Sequence, residues 1–249
     1  MRRSSIDLNA DLGEGEAHDE FLLGLVSSCN IACGGHTGDQ ASMTATVRLA
    51  VENGVAVGAH PSYPDRDGFG RRSGYLAGAE LTDSLARQID ALAAVCLRHK
   101  VELKTIKPHG ALYNDARTDA DLAETLADIA GRYRLTLIGQ PGSMVENAAS
   151  HRGLRFLREG FVDRRYLPNG ALCPRQRSGA VFDDGSAAAE QALRLALGRP
   201  VATVDNDTLQ LAVDTLCLHG DTPHAADIAT AVHARLVDDG LTILSPQHD

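Results

Sequence analysis

The chain has 249 residues, 43% of them apolar and 23% charged, an average balance that excludes a disordered, collagen-like or disulfide-scaffold protein. Its 33 acidic against 24 basic residues give a formal charge of −9, the wrong sign for a phosphate-backbone footprint, so no nucleic acid partner is expected. No apolar run approaches the roughly 20 residues that span a bilayer and no apolar signal segment follows Met1, so the expectation is a cytoplasmic chain with no membrane partner.

Short apolar runs alternate with segments of helical periodicity from one end of the chain to the other. Predicted strands are Ile6 to Asp11, Ser28 to Ala32, Val55 to Ala59, Leu103 to Lys107, Leu135 to Gly139, Arg155 to Phe161 and Ala212 to Leu218. Between them, 3- and 4-residue spacing puts Met43, Val47, Ala50 and Val51 on one helix face, and Leu81, Leu85, Ile89, Leu92 and Cys96 on another. Leu122, Leu126 and Ile129 form a third face, and Ala225, Ile228, Ala229, Val232 and Leu236 a last. Thr82 and Thr118 read as helix starts, and Gly54, Gly131 and Gly240 as stops. With no linker, low-complexity stretch or internal repeat, the expectation is one α/β domain over residues 1–249: a seven-stranded (β/α) barrel with its helices outside. The five cysteines, Cys29, Cys33, Cys96, Cys173 and Cys217, are odd in number and scattered, and read as small core residues in a reducing compartment.

A polar cluster follows every predicted strand. These are Asn9-Ala10-Asp11-Leu12-Gly13-Glu14, then Asn30 and Cys33-Gly34-Gly35-His36, then His60-Pro61, Lys107-Pro108-His109, Gly139-Gln140-Pro141-Gly142, Asp163-Arg164-Arg165-Tyr166 and His219-Gly220-Asp221. In a parallel barrel all carboxyl ends of strands open onto one face, which carries the active site, so these clusters are expected to converge. An open sheet would instead favour a glycine-rich turn after its first strand, and neither G-x-G-x-x-G nor a P-loop occurs. A single strand-end histidine is ordinarily a rim residue, but three histidines, a lysine and two acids in equivalent places point to a site. Asp67-Gly68-Phe69-Gly70-Arg71-Arg72 reads as a glycine-hinged loop long enough to cover it. His18, His99, His151, His224, His233 and His248 fall in helix patterns, loops or the tail and carry no role.

The runs IDLNADLGEG, SSCNIACGGHTGD, GVAVGAHPSYPDRDGFGRR, IKPHGALYN, EGFVDRRY and LCLHGDTPHA closely resemble the LamB/YcsF family, over nearly the whole chain. The resemblance implies a seven-stranded barrel of the glycoside hydrolase/deacetylase type. It also implies an ATP-dependent 5-oxoprolinase activity: opening of the lactam 5-oxo-L-proline (pyroglutamate) to L-glutamate together with 5-oxoprolinase subunits B and C. The family commonly shows Phe where Gly35 stands, Ala at Thr37, Cys at Ala10 and Gly at Ser62.

The chemistry agrees with the residues. A five-membered lactam is an unstrained, poorly electrophilic amide, so ATP can activate it by phosphorylation. This chain has no recognisable phosphate cradle beyond Gly139 to Ser143, so ATP is expected to be bound and used through the partner subunits. What remains is water attack on an activated carbon, which needs a general base, a cation for the developing oxyanion and an acid for nitrogen. Asp11 or His60 is the base, Lys107 the cation and His109 the proton donor; Asn9, Glu14, His36, Asp163, Arg164, His219 and Asp221 are the expected substrate-binding groups. A metal-dependent deacetylase using Asp11, His36 and His60 as ligands of a divalent ion is the alternative, and a non-catalytic chain that only binds the lactam is a further one.

Overall fold

The computed structural model describes residues 3–221 and 224–246; His248 lies outside them. Its elements run β1 (Ser5–Leu12), α1 (Asp19–Leu23), β2 (Ser28–Ala32), α2 (Gln40–Glu52), β3 (Ala56–His60), α3 (Gly78–Arg98), β4 (Leu103–Ile106), α4 (Gly110–Asp115), α5 (Ala120–Tyr133) and β5 (Thr136–Gly139). They continue with α6 (Met144–His151), β6 (Phe156–Phe161), α7 (Gly185–Ala196), β7 (Val201–Ala202), β8 (Thr208–Leu209), β9 (Thr215–Leu218), α8 (Ala225–Asp238) and β10 (Thr242–Ile243). The seven long strands, β1 to β6 and β9, fall on the seven predicted runs, and the fold is a (β/α) barrel. None of the described helices is long and apolar enough to cross a membrane.

The chain divides into two compact units. The first comprises residues 1–10, 17–28 and 158–249, and the second residues 11–16 and 29–157. In the first unit β1 pairs in parallel with β9, Asp7 to Ala10 lying opposite Thr215 to Leu218. β9 pairs in parallel with β6, and β10 adds Thr242 and Ile243 beside Ser5 and Ile6. In the second unit β2, β3, β4 and β5 are successive neighbours, with parallel registers that put Ala59 beside Ile106 and Ile106 beside Leu137.

Strands buried on both sides explain the apolar runs that mark them. In β1 the period of two separates Leu8, Ala10 and Leu12 from Asp7, Asn9 and Asp11, and all six are buried. The helices bury one stripe each: in α3, Leu81, Leu85, Ile89, Leu92 and Cys96 are all buried, each large apolar side chain contributing roughly 1.5–3 kcal/mol by leaving water. Val51, placed on the apolar face of α2 by spacing, is exposed. Side-chain caps start four helices, Asp39 for α2, Asp119 for α5, Ser143 for α6 and Asp184 for α7, each accepting hydrogen bonds from amides that the first turn leaves open.

The expected helix signals are met in part. Gly54 follows α2 and Gly240 follows α8, each within two residues of the helix end. Thr118 sits one residue before the actual cap Asp119, whereas Thr82 lies inside α3 with its hydroxyl on the Gly78 carbonyl, and Gly131 lies inside α5, which ends at left-handed Arg134. The helix α7 has no counterpart in the predicted pattern. Its buried stripe is mostly alanine, Ala188, Ala189, Ala192 and Ala196, with Leu193 and Leu195, and small side chains give little apolar contrast. All five cysteines are buried and free, and burial pushes the Cys33 thiol up to about 12, as expected of core residues.

Candidate active site

Asp11, Glu14, His36, His60, Lys107 and His109 all belong to the second unit, and they meet there in one buried cluster. Asp11 sits at the end of β1 and Glu14 on the turn after it; His36 follows β2; His60 ends β3. Beyond the strands, pairing continues: the Lys107 amide bonds the Ala59 carbonyl at 2.9 Å and the His109 amide bonds the Pro61 carbonyl at 2.8 Å. The two X-Pro steps, His60-Pro61 and Lys107-Pro108, keep these segments extended, so three ionisable side chains are fixed by main-chain register.

Lys107 Nζ donates to both oxygens of Asp11, at 2.9 and 3.0 Å, and Asn30 Nδ2 donates to Asp11 Oδ1 at 3.0 Å. Asp11 is therefore an ion-paired anion with its charge directed at the ammonium. His60 Nδ1 donates to the Lys107 carbonyl at 2.8 Å, and His109 Nε2 donates to the Phe69 carbonyl at 3.0 Å. A carbonyl only accepts, so both protons are assigned to those nitrogens. The other two nitrogens, His60 Nε2 and His109 Nδ1, then face one another at 3.0 Å, with Glu14 Oε1 at 3.6 and 3.2 Å and Asp11 Oδ2 at 3.4 Å from His60. Two imidazole lone pairs and two carboxylates thus converge on one small volume, an arrangement that attracts a cation or an added proton.

The electrostatics follow from burial and these contacts. Burial raises the Glu14 carboxyl, but the surrounding imidazoles of His109, His36 and His60 outweigh it and hold the group well below the usual carboxylate range. Burial lowers His36 despite Glu14, which opposes the shift. Burial also drops His60 to about 3, against the pull of Asp11, so its ring is neutral at neutral pH.

The loop expected to cover the site does so. Phe69 packs edge-on against His36 and His109, ring centroids 5.1 and 5.4 Å away, and Arg71 lies over the Phe69 ring. Gly70 makes this close approach possible: its φ is +63°, and a Cβ there would come within 2.9 Å of His36 Cβ and 3.0 Å of His109 Cδ2. Behind His36, a Cβ on Gly35 would fall 2.3 Å from Ser62 Oγ and 2.5 Å from Gln88 Oε1. Ser62 thus occupies space that a larger residue at position 35 needs, so positions 35 and 62 are sterically linked. Asn30, Ser62, the Phe69 carbonyl and Gln88 are not among the candidate site residues; they support the cluster through the groups that sequence singles out.

The other candidates lie in the first unit. Asp163 follows β6 and accepts from His219 Nδ1 with both oxygens at 2.9 Å, while Phe161 stacks on the His219 ring. Asp221 pairs with Arg175 at 3.2 Å, and Arg164 is buried. Asn9 is fully buried, and its amide donates to Glu159 Oε1 at 3.1 Å and Thr215 Oγ1 at 2.7 Å, inside a network with Asp7, Ser27 and Ser28. The turn Gly139 to Ser143 is no phosphate cradle: the Gly142 amide donates to Glu146 Oε2 at 2.7 Å and Ser143 caps the Glu146 amide.

A divalent ion fits the donor set of the cluster. Ligand spacings of 3.0–3.6 Å match the edges of a polyhedron with metal–ligand bonds of roughly 2.0–2.2 Å. His36 and His109 stack in parallel with centroids 3.6 Å apart, so their in-plane lone pairs cannot meet at one point. His60 stands perpendicular to both. Glu14, His36, His60 and His109 each offer a ligand atom within 4.8 Å of the others; among them the His60 and His109 lone pairs and Glu14 Oε1 converge, with Asp11 Oδ2 beside His60, and the His60 and His109 tautomers are fixed by carbonyls as metal-ligating histidines require.

A (β/α) barrel carrying histidines, a lysine and carboxylates at its strand ends is a protein of enzyme type. The chain belongs to the LamB/YcsF family, whose profile matches residues 6–248. It is 46% identical over 246 residues to the A subunit of 5-oxoprolinase from Methylococcus capsulatus, covering 96% of this chain and 95% of that one. Its structure is similar to that of the lactam utilization protein of Thermus thermophilus, with a TM-score of 0.90, 39% identity, and 96% and 99% of the two chains covered. A family 4 carbohydrate esterase from Streptomyces lividans shares the fold at 15% identity and a TM-score of 0.55, over 98% of this chain and 93% of that one.

Proposed function

We propose that this chain is the A subunit of an ATP-dependent 5-oxoprolinase, a cyclic amide hydrolase that opens 5-oxo-L-proline to L-glutamate with subunits B and C. The observation that carries the reading is the buried cluster itself: base, acid and cation gathered in a chain 46% identical to the A subunit of a 5-oxoprolinase. ATP is used through the partners, which deliver the lactam in an activated, phosphorylated form. His60 is better suited than Asp11 to be the base, because both Asp11 oxygens are held by Lys107 while His60 Nε2 carries a lone pair. Water attacks the phosphate-bearing carbon as His60 Nε2 takes one of its protons; the C–N bond of the adduct then breaks, its hydroxyl proton going to nitrogen, and a second water releases phosphate from the acyl phosphate left behind to give the carboxylate of L-glutamate. Lys107, held in place by Asp11, stabilises the negative charge developing on the adduct, and the proton taken by His60 passes over 3.0 Å to His109 Nδ1 and from there to the ring nitrogen, His109 keeping its Nε2 proton on the Phe69 carbonyl.

The convergence of His60, His109 and Glu14, with Asp11 beside His60, favours a second reading, in which the same cluster seats a divalent ion. Such an ion would supply Lewis-acid activation, with the second-unit residues otherwise in the same places. Metal analysis of the purified complex, with activity before and after chelation, separates the two readings: a metal-free complex of full activity eliminates the second.

The test of the first is coexpression with candidate partner subunits and measurement of glutamate released from 5-oxoproline. Release that requires ATP and all three chains is the expected result. Glutamate formed from ATP and 5-oxoproline by this chain alone, or by no combination of chains, overturns the proposal.

A further inference from the structure

The first unit holds a buried cation whose charge is only partly met. Arg164 is 7% exposed; its Nη2 donates to the Cys173 carbonyl at 2.6 Å, but its buried Nε–H meets no acceptor among the described residues. Removing a guanidinium from water costs several kcal/mol unless a partner compensates. Two carboxylates act on it and are shared with other groups, Asp163 having both oxygens on His219 and Asp221 pairing with Arg175. Burial and the like charge of Arg175 hold the Arg164 guanidinium below its ordinary range. Two arginines therefore act on each other and share the carboxylate of Asp221.

The frame around them is rigid. Gln191 of α7 donates to the carbonyls of Phe161 and Arg164, each at 2.8 Å, and the Phe161 amide donates to the Tyr166 hydroxyl at 2.7 Å. Antiparallel bridges tie Arg164 to Val181 and Tyr166 to Leu172. His219 is held through Nδ1 by Asp163, which leaves its Nε2 directed away from that carboxylate. Fixed, desolvated donors are what bind an anion at low entropic cost.

We propose that Arg164 and Arg175, together with His219, form a binding site for the oxyanion group of a small acidic molecule. This rests on the lactam reading for the identity of that molecule: the group is the carboxylate of 5-oxoproline or the phosphoryl group of its activated form. Arginine suits both, because its planar fork matches either group.

Titration of the purified chain with inorganic phosphate and with 5-oxo-L-proline, read by calorimetry, tests it. Saturable binding of at least one probe is expected, weakened about ten- to hundredfold in Arg175→Met, the loss of a hydrogen bond to a charged group. Arg164→Met should weaken it as much where that variant folds. Arg175 is partly exposed, so its variant is expected to fold and keeps the test decisive. Arg177→Met, on the surface and paired with Asp205, should bind as wild type. Loss of phosphate alone identifies a phosphoryl site, and loss of 5-oxoproline alone a carboxylate site. Absence of binding by the wild-type chain, or unchanged affinity in Arg175→Met, overturns the proposal. If the wild-type complex releases no glutamate while arginine-dependent phosphate binding persists, the lactam reading fails and the oxyanion site stands.

Discussion

Two buried polar clusters, one in each unit, are built from similar residue types and differ in how their hydrogen bonds close. In the first unit Asp7 accepts from Ser27, Ser28 and Thr215, and Asn9 donates to Glu159 Oε1 and Thr215; each of these donors meets an acceptor, Glu159 Oε2 alone in the network having no hydrogen-bond donor among the described residues, and the network holds β1, β6 and β9 together. In the second unit His60 Nε2, His109 Nδ1 and Glu14 Oε1 are acceptors facing acceptors. The first arrangement suits stability and the second is poised for a proton or a cation. Burial and polarity alone therefore do not mark a site; the sense of the hydrogen bonds does.

The largest expected effect lies in the second cluster. His60→Gln and Lys107→Met should each lower kcat of the reconstituted complex by about 10²- to 10⁴-fold, measured as glutamate release per folded molecule, and Lys107→Met should also lower the thermal midpoint because it removes one partner of a buried ion pair; wild-type turnover in both would remove the cluster from the chemistry. Asn9→Leu should do the opposite. It leaves Glu159 Oε1 and Thr215 Oγ1 short of a donor, so it should cost about 1–3 kcal/mol per group in denaturant unfolding, with less than about a tenfold change in activity per folded molecule.

The pH dependence of stability separates the clusters more finely. His60 titrates at about 3 when folded and near 6.5 when unfolded, so the unfolded chain binds more protons as pH falls below about 6.5. Stability is then lost progressively from there toward about pH 3, at up to ~1.4 kcal/mol per unit. His36, also held low by burial, adds to the same slope, while Glu14 stays ionised in both states down to about pH 5. In His60→Gln the slope between about pH 6.5 and 5 should flatten by about one proton; an unchanged slope would mean that His60 is charged in the folded protein.

The smallest effect concerns the wall behind His36. Gly35→Ala brings a methyl into Ser62 Oγ and Gln88 Oε1 and should cost about 1–3 kcal/mol. Adding Ser62→Gly should recover part of that loss, since only the Gln88 contact then remains; no recovery in the double variant would break the link between the two positions.

Much of the fold is legible in the chain because it rests on local rules. Strands buried on both faces write themselves as apolar runs, and each of the seven predicted runs overlaps an observed strand. Proline after His60 and Lys107 marks where the chain leaves the sheet, which places the ionisable groups at strand ends. The two-residue strands β7, β8 and β10 carry no periodicity, and α7 buries alanines, so neither leaves a pattern to read. Arg175 lies in a segment with no periodicity at all; only its spatial neighbour Arg164 gives it meaning.

Hydrophobic period and chain-breaking residues act over a few positions, and they suffice for the barrel class, the strand ends and the residue types that gather there. Four features are settled only in the folded chain: which nitrogen of each histidine bears the proton, that Lys107 occupies Asp11, that Asn9 belongs to a buried network with Glu159 and Thr215, and that the buried Arg164 shares its acids with other partners. Each depends on the direction of a hydrogen bond between residues far apart in the chain, such as Lys107 to Asp11 or His109 to Phe69, and direction in space has no local signature.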